Sequence, residues 1–257
     1  MGGITDSQTL SLSLSSYDIR ATTAVMLLMD PEHLTAANAR KRCLVKDLDA
    51  LPDSRRHDII RLVIQELYFV DNLLTSPLHR HAKSPVIWSH RRWIVKEHAR
   101  RELFLCPAGV RNTLCEVVMV AGERHGRNYH AWSHARWLVR QVTRPEAACV
   151  AGTGIDHDNE AETKERELVF DEIVCRVKAW CCRHHGDISG WSFLLFLLGN
   201  GAGPGGGSAE LTRRMRQEVS ELAGSMQWKN ESVVWFLDMA TKQVAVAAAA
   251  ASNVSDD

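Results

Sequence analysis

One eleven-residue motif occurs twice in this chain and a third time in reduced form. Residues 128–138 read NYHAWSHARWL, and residues 84–94 read SPVIWSHRRWI. Residues 188–197, ISGWSFLLFL, keep the tryptophan, the serine after it and the second aromatic residue, but have apolar residues in place of histidine and arginine. The three tryptophans are 44 and 59 residues apart, which is typical of helical repeats separated by a loop of variable length. The motif therefore predicts a helical repeat array.

Apolar residues recur at helical spacing around each copy of the motif. Ser84 followed by Pro85 is a helix N-cap followed by a proline at the first helical position, so the copy at 84–94 opens a helix. The predicted helices are 17–29, 35–47 with Thr35 as its cap, a long helix ending near 76, 84–104, 110–123, a helix around 132 ending near 142, 163–183, a helix around 191, 209–224 and 230–246.

Each motif copy opens the second helix of a predicted helix–turn–helix pair, and no stretch of the sequence is typical of a strand. Antiparallel pairs stacked in series form a solenoid in which each pair covers the apolar face of its neighbour. The sequence therefore predicts an all-α fold, specifically an α–α superhelix resembling a right-handed tetratricopeptide solenoid.

The predicted solenoid spans residues 16–246 and contains about five helix pairs. Residues 1–15, rich in serine, threonine and glycine, and the alanine-rich tail 247–257 are predicted to be disordered. A loop insertion at 143–162 accounts for the longer spacing before the third motif copy. A glycine linker at 199–208 precedes the last pair.

The composition narrows the classes of function. Of the 257 residues, 31 are Lys or Arg and 31 are Asp or Glu, so no net field favours nucleic acid or an anionic membrane. The apolar runs are too short to span a bilayer, and the N-terminus lacks a secretory signal. The seven cysteines form no CxxC pair, which favours reduced thiols and a cytoplasmic location.

The motif side chains allow two interpretations. The tryptophans are predicted to pack between repeats. The histidines and arginines could serve ordinary capping and ion pairing, or they could line an edge where helix N-termini meet the phosphates of a ligand. The residues concerned are His90, Arg91, Arg92, His134 and Arg136.

The motif resembles the α-subunit repeat of protein prenyltransferases. The resemblance is strongest in the copies at 84–94 and 128–138. Residues 30–41 resemble the first repeat, with Ala37 in the position of the tryptophan, and 230–235 resemble a last repeat. The similarity extends over roughly residues 25–240.

The resemblance implies an α subunit that wraps around a separate β subunit, of the Rab-type geranylgeranyltransferase kind. The pair would transfer an isoprenoid, with geranylgeranyl favoured, from its diphosphate to a protein substrate bearing a C-terminal cysteine. Zn²⁺ would belong to the β subunit, so no metal or other cofactor is expected in this chain. The α subunit would stabilise the departing diphosphate.

The resemblance also assigns candidate site residues. Lys83 lies where the family has a phosphate-contacting lysine, and Tyr129 and His130 lie where it has a Tyr-His pair facing the active site; these three are the predicted catalytic residues. Predicted substrate-binding residues are Arg91, Arg92, His134 and Arg136.

The sequence departs from the family pattern at Pro85, where the family has tyrosine, and at Ala135, where it has arginine. Loss of the histidine and arginine from the 188–197 copy leaves a second hypothesis open, a non-catalytic scaffold that kept the repeat fold. A metal site within 181–187, which contains Cys181, Cys182, His184, His185 and Asp187, is disfavoured because adjacent residues on a helix diverge.

Overall fold

The structure, a computed structural model, describes residues 15–99, 105–143, 160–199 and 209–254. All regular secondary structure in these ranges is helical. The helices are α1 (Ser16–Met29), α2 (Leu34–Asp49), α3 (Arg56–Leu74), α4 (His79–Ala82), α5 (Pro85–Ala99), α6 (Pro107–Thr113), α7 (Met119–Arg124), α8 (Tyr129–Thr143), α9 (Glu160–Arg183), α10 (Ile188–Gly199), α11 (Ala209–Ser225) and α12 (Glu231–Val254). The predicted all-α helical repeat fold is confirmed.

Helices that follow one another in the chain pack as pairs. α1 packs on α2, α3 on α5, the α6–α7 segment on α8, α9 on α10, and α11 on α12. The second members also contact each other in sequence, because α2 meets α5, α5 meets α8, α8 meets α10, and α10 meets α12. We call these five helices the second helices. They form one row, and the three motif copies open α5, α8 and α10 within it.

Several boundaries differ from the predicted ones. Short helix α4 lies within 77–83, which the sequence predicts as a loop between the long helix ending near 76 and the helix 84–104. A π-helical segment, Leu114–Val118, joins α6 to α7. The cap of α2 is His33, whose Nδ1 accepts the Ala36 N–H at 3.2 Å, rather than Thr35. Helix α12 continues to Val254, so residues 247–254 of the tail predicted to be disordered are helical, which is consistent with the high helix propensity of the alanine run. Predictions for residues 1–14, 100–104, 144–159, 200–208 and 255–257 fall outside the described residues.

The motif tryptophans are buried between repeats, as predicted. Trp132 and Trp191 are 0% exposed and Trp88 is 4% exposed. Trp132 packs edge-on against Trp180 of α9, with ring centroids 4.9 Å apart. Trp180 in turn lies on Gly190, where an added Cβ would be 2.5 Å from its ring. The third and fourth pairs are therefore joined by an aromatic contact that requires a glycine at this position.

A buried ion pair joins the first two helix pairs. Arg40 of α2 binds Glu66 of α3 through two hydrogen bonds of 2.8 Å, and His90 of α5 lies 3.2 Å from the same carboxylate. Burial alone would raise the pKa of Glu66, but hydrogen bonds from His90 and Arg40 lower it to about 2. Glu66 is therefore an anion held between three helices.

No helix in the described part of the chain is both long and apolar enough to cross a membrane.

Candidate functional site

Hydrogen bonds between successive repeats join the starts of the second helices along one edge, which we call the helix-start edge. The bonds run from Ser84 Oγ to the Pro31 carbonyl (2.9 Å), from Asn128 Nδ2 to the Ala82 carbonyl (2.8 Å), from the Arg127 N–H to Asp187 Oδ2 (2.7 Å) and from Ser232 Oγ to the Gly186 carbonyl (3.2 Å). Each bond links the segment before one second helix to the segment before the next or, for Ser232, to the first turn of the next helix. The N-termini of α2, α5, α8, α10 and α12 therefore share one side of the molecule.

Three buried residues cap a helix and form the link to its neighbour at the same time. Ser84 accepts the Ile87 N–H, and Asn128 Oδ1 accepts the Ala131 N–H. Asp187 Oδ1 accepts the Ser189 N–H at 2.8 Å. Because Ser84 and Asn128 also carry donors, each reaches a carbonyl of the preceding repeat, whereas Asp187 uses its second oxygen to accept a backbone N–H. All three residues lie four positions before a motif tryptophan.

The carbonyl of Ala82 is a shared acceptor at this edge. It accepts the indole N–H of Trp88 at 2.8 Å in addition to the Asn128 amide. Since Lys83 follows Ala82 and Tyr129 follows Asn128, this junction brings two of the predicted catalytic residues side by side.

The predicted catalytic residues are accessible. Tyr129 is 66% exposed and His130 is exposed, with their rings 6.5 Å apart. Lys83 is half-buried at the end of α4 and has no carboxylate partner among the described residues. Helix N-termini carry partial positive charge, and five of them lie along this edge. At the starts of α5 and α8 this positive charge adds to that of Lys83 and suits an anion, whereas Glu123 and Asp187 place negative charge in the neighbouring cleft.

Two of the predicted substrate-binding residues lie in the interior. Arg91 is 4% exposed and His134 is 3% exposed. Arg91 Nη1 lies 2.8 Å from His134 Nε2, and Arg91 Nε donates to Asp71 Oδ1 at 2.7 Å. Burial, followed by the charges of Arg91 and Arg92, lowers the pKa of His134 well below its usual value. These surroundings match the packing interpretation, and a contact of either residue with substrate stays a prediction.

The other two predicted substrate-binding residues lie against aromatic rings of the next second helix. The Arg92 guanidinium is 4.9 Å from the ring centroid of Trp137, and the Arg136 guanidinium is 5.7 Å from that of Phe196. Arg136 also donates to Ser192 Oγ at 2.6 Å. Arg92 and Arg136 lie about two turns into α5 and α8, respectively. They are therefore separated from Lys83 and Tyr129, which lie at the helix-start edge.

An open cleft lies at the helix-start edge between the turn before α8 and the turn before α10. Gly122, Glu123, Gly126, Arg127 and residues 183–187 line it. The described residues include no group of three or more side chains placed to hold a metal ion. Within 181–187, His184 stacks on Trp180 at 4.2 Å and His185 on Trp228 at 4.8 Å, so these histidines face different neighbours.

Sequence reasoning missed Asn128 and Asp187 as the residues that build the edge. The available signal was a capping residue, Ser84, Asn128 or Asp187, four positions before each tryptophan. That signal predicts a helix start. It does not show that the same side chain bonds to the preceding repeat.

The fold and the helix-start edge define a protein of paired helices with an anion-suited edge. Residues 113–142 match the family model described as the protein prenyltransferase alpha subunit repeat. The match begins at the end of α6, continues through the π-helical segment and α7, and includes nearly all of α8. Tyr129, His130, His134 and Arg136 lie within it. No curated protein matches the sequence. The comparison therefore supports a prenyltransferase α-subunit repeat in the third helix pair.

Proposed function

We propose that this chain is the α subunit of a heterodimeric protein prenyltransferase. Its β subunit would transfer an isoprenoid, with geranylgeranyl favoured, from its diphosphate to a cysteine of a protein substrate. Residues 83–93 resemble a repeat of the α subunit of type III geranylgeranyltransferase. One observation supports this proposal most strongly. The family match at 113–142 includes the start of α8, and the first two residues of that helix, Tyr129 and His130, are exposed on the helix-start edge.

In the proposed reaction, the α subunit supplies hydrogen-bond donors to the departing diphosphate. The cysteine thiolate forms a bond to the first carbon of the isoprenoid, and the bond from that carbon to the diphosphate oxygen breaks with its electron pair. Negative charge grows on the departing diphosphate. Donors that are already in position stabilise that charge without reorganising. Zinc in this proposal belongs to the β subunit.

Lys83, Tyr129 and His130 are the proposed donors. Lys83 offers an ammonium with no carboxylate partner among the described residues, Tyr129 a phenol O–H, and His130 a ring N–H. The bond from Asn128 to the Ala82 carbonyl holds the chain segments that carry Lys83 and Tyr129 together. Helix N-termini at the same edge add partial positive charge.

Arg91 and His134 have a positioning role in this proposal. Their 2.8 Å contact joins α5 to α8 beneath the edge, so it maintains the relative placement of Lys83 and Tyr129. Arg92 and Arg136 lie on a different surface, beside aromatic rings of the next second helix.

Co-expression with a Rab-type geranylgeranyltransferase β subunit tests the proposal. We expect a one-to-one complex by size-exclusion chromatography with light scattering. Lys83→Ala should leave that complex intact, because Lys83 is proposed to act on the diphosphate. Separate elution of the two chains would contradict the proposal and favour the non-catalytic scaffold. A complex without prenyl transfer would support a structural α subunit only.

A further inference from the structure

A row of cations packed on aromatic rings runs across four second helices. Each cation lies over a ring of the next helix in the row. The contacts are Lys41 over Trp93 (5.7 Å), Arg92 over Trp137 (4.9 Å), Arg136 over Phe196 (5.7 Å) and Arg140 over Phe196 (5.2 Å). We call these seven residues the cation–aromatic stripe.

The stripe is continuous because of the motif register. In α5 and α8 the cation is four positions after the motif tryptophan and the ring is five positions after it. Each of these helices therefore offers a ring to the helix before it and a cation to the helix after it. Trp93 adjoins Arg92 in the chain, and Trp137 adjoins Arg136, so one contact leads directly to the next.

Adjacent basic residues take opposite roles in two of these helices. Arg40 and Arg91 point inward and bind Glu66 and Asp71, each through an N–O distance of 2.7–2.8 Å. Lys41 and Arg92, the next residues in the chain, have no carboxylate partner in the described ranges. Within the described ranges, the inward cation of each helix is therefore neutralised by a carboxylate and the outward one is not.

The four stripe cations all lack a carboxylate partner among the described residues. The chain has 31 basic and 31 acidic residues, so it carries no net charge, but this cluster of four cations makes one face locally positive. Burial lowers the pKa of Lys41, Arg92 and Arg136, so these cations are already partly desolvated. A carboxylate forms a stronger hydrogen bond with a partly desolvated cation than with a cation that is fully hydrated.

A groove at the α2 end of the stripe is also lined by basic and apolar side chains. Lys41, Arg42, Val45, Lys46, Asp49 and Trp93 line it. Three of these side chains are basic and one is acidic, while Val45 and Trp93 supply apolar surface. The groove combines positive charge with side chains that the backbone and methylene groups of a peptide can cover.

We propose that the cation–aromatic stripe is a docking surface for a carboxylate-rich polypeptide segment of a protein partner. Helices pack about 8–10 Å apart, and a peptide in the polyproline II conformation points every third side chain the same way, with a rise of about 3.1 Å per residue. One acidic residue in about every three would therefore meet one cation per helix. A nucleic acid is less favoured, because domains that bind it typically have a pI above about 9, whereas the pI of this chain is near 7.2. The proposal is independent of the prenyltransferase function.

Fluorescence anisotropy with a labelled peptide of six Glu-Ser-Gly repeats tests the proposal on the full chain. We expect salt-sensitive binding to wild type and no binding of the matching Lys-Ser-Gly peptide. The triple variant Lys41→Gln, Arg92→Gln, Arg136→Gln should bind roughly tenfold more weakly, because three charge-assisted contacts are lost. The control Arg56→Gln, Arg214→Gln, Lys229→Gln removes the same charges from exposed positions outside the stripe and should bind like wild type.

Circular dichroism checks that each variant is folded. If the triple variant unfolds, Arg92→Gln alone is used, because the Arg92 side chain is exposed. Absence of binding to wild type would overturn the proposal, as would equal weakening in the stripe and control variants. Tighter, stripe-dependent binding of a uridine oligonucleotide would also overturn it and identify a nucleic-acid surface. The isolated chain is used, so the result does not depend on whether a β subunit binds.

Discussion

Arg91 and His134 lie 43 positions apart in the chain and are in hydrogen-bond contact at 2.8 Å between Nη1 and Nε2. A guanidinium can only donate, so Nε2 must accept, and the ring proton lies on Nδ1. The contact joins the motif copy at 84–94 to the copy at 128–138. His134 also lies between two tryptophans, with ring centroids 5.4 Å from Trp88 and 5.5 Å from Trp137. The folded protein therefore requires a neutral imidazole here.

This requirement predicts acid sensitivity of the fold. Burial, together with Arg91 and Arg92, holds the pKa of His134 well below its ordinary value of 6.5. As pH falls through 6.5 the unfolded chain binds a proton that the folded chain does not, so the free energy of unfolding decreases. Urea unfolding at pH 7.5 and 5.5 should show lower stability at 5.5. His134→Gln, whose carbonyl can accept from Arg91, should reduce this difference, whereas exposed His130→Gln should not. An unchanged difference in His134→Gln would contradict the assignment.

Breaking the buried ion pair should cost more than removing it entirely. Glu66→Ala leaves the buried Arg40 without its anion, and loss of one partner of such a pair typically costs about 3–5 kcal/mol. The double variant Arg40→Met, Glu66→Met leaves no buried charge and should recover much of that loss. Chemical denaturation measures both. A double variant as unstable as the single one would show that the charges themselves are required.

The Nδ2 donor of Asn128 and its Oδ1 acceptor should contribute separately to the stability of the fold. Asn128→Asp keeps an oxygen for the Ala131 N–H but loses the donor to the Ala82 carbonyl and places a charge at a 0% exposed site. An unsatisfied or charged buried group costs about 1–3 kcal/mol or more. Asn128→Asp should therefore be less stable than wild type in thermal unfolding, and Asn128→Ser less affected. Equal melting of Asn128→Asp and wild type would show that the inter-repeat bond contributes nothing.

The first and the second tryptophan of the motif should differ in how much they contribute to the free energy of unfolding. Trp132 is fully buried against Trp180 and Phe193, so Trp132→Ala should cost about 3–5 kcal/mol. Trp93 is only half-buried beneath Lys41, so Trp93→Ala should cost clearly less. Denaturant midpoints compare the two. Similar losses would place Trp93 among the inter-repeat anchors.

Lys83 should affect prenyl transfer without affecting assembly. Lys83→Ala in the heterodimer should slow transfer by about 100-fold, since loss of one transition-state donor typically costs about 3 kcal/mol. His130→Ala should have a smaller effect, because a neutral imidazole is a weaker donor than an ammonium. Single-turnover kinetics measures both. Normal rates in both variants would assign the helix-start edge a structural role.

Much of the fold could be predicted from local patterns. The helical period of the apolar residues, and caps such as Ser84, located the helix pairs because these signals act within one turn of the chain. The short helix α4, the π-helical segment 114–118 and the His33 cap were missed. Helix α4 packs on α3 and the π-helical segment packs on α8, and such packing is not recorded in a local pattern. The His33 cap is local, but histidine is not among the residues preferred at that position.

The candidate site could be predicted in part. Tyr129 and His130 are exposed at the start of α8, but Arg91 and His134 lie in the interior. Nothing in the sequence distinguishes Arg91 from Arg92, since they are adjacent and identical. Their difference comes from rotation by about 100° along the helix, which directs one to Asp71 and the other to Trp137.

The sequence by itself determined the helical repeat, the burial of the motif tryptophans and the start of α5 at the Ser84 cap, because periodicity and capping are properties of neighbouring residues. Only the tertiary structure decided that Asn128 bonds to Ala82, that Arg91 meets His134, and that Lys41 and Arg92 lack a carboxylate in the described ranges. These relationships join residues tens of positions apart. They exist only once the second helices pack side by side, because the packing geometry determines which side chains are neutralised inside and which remain on the surface.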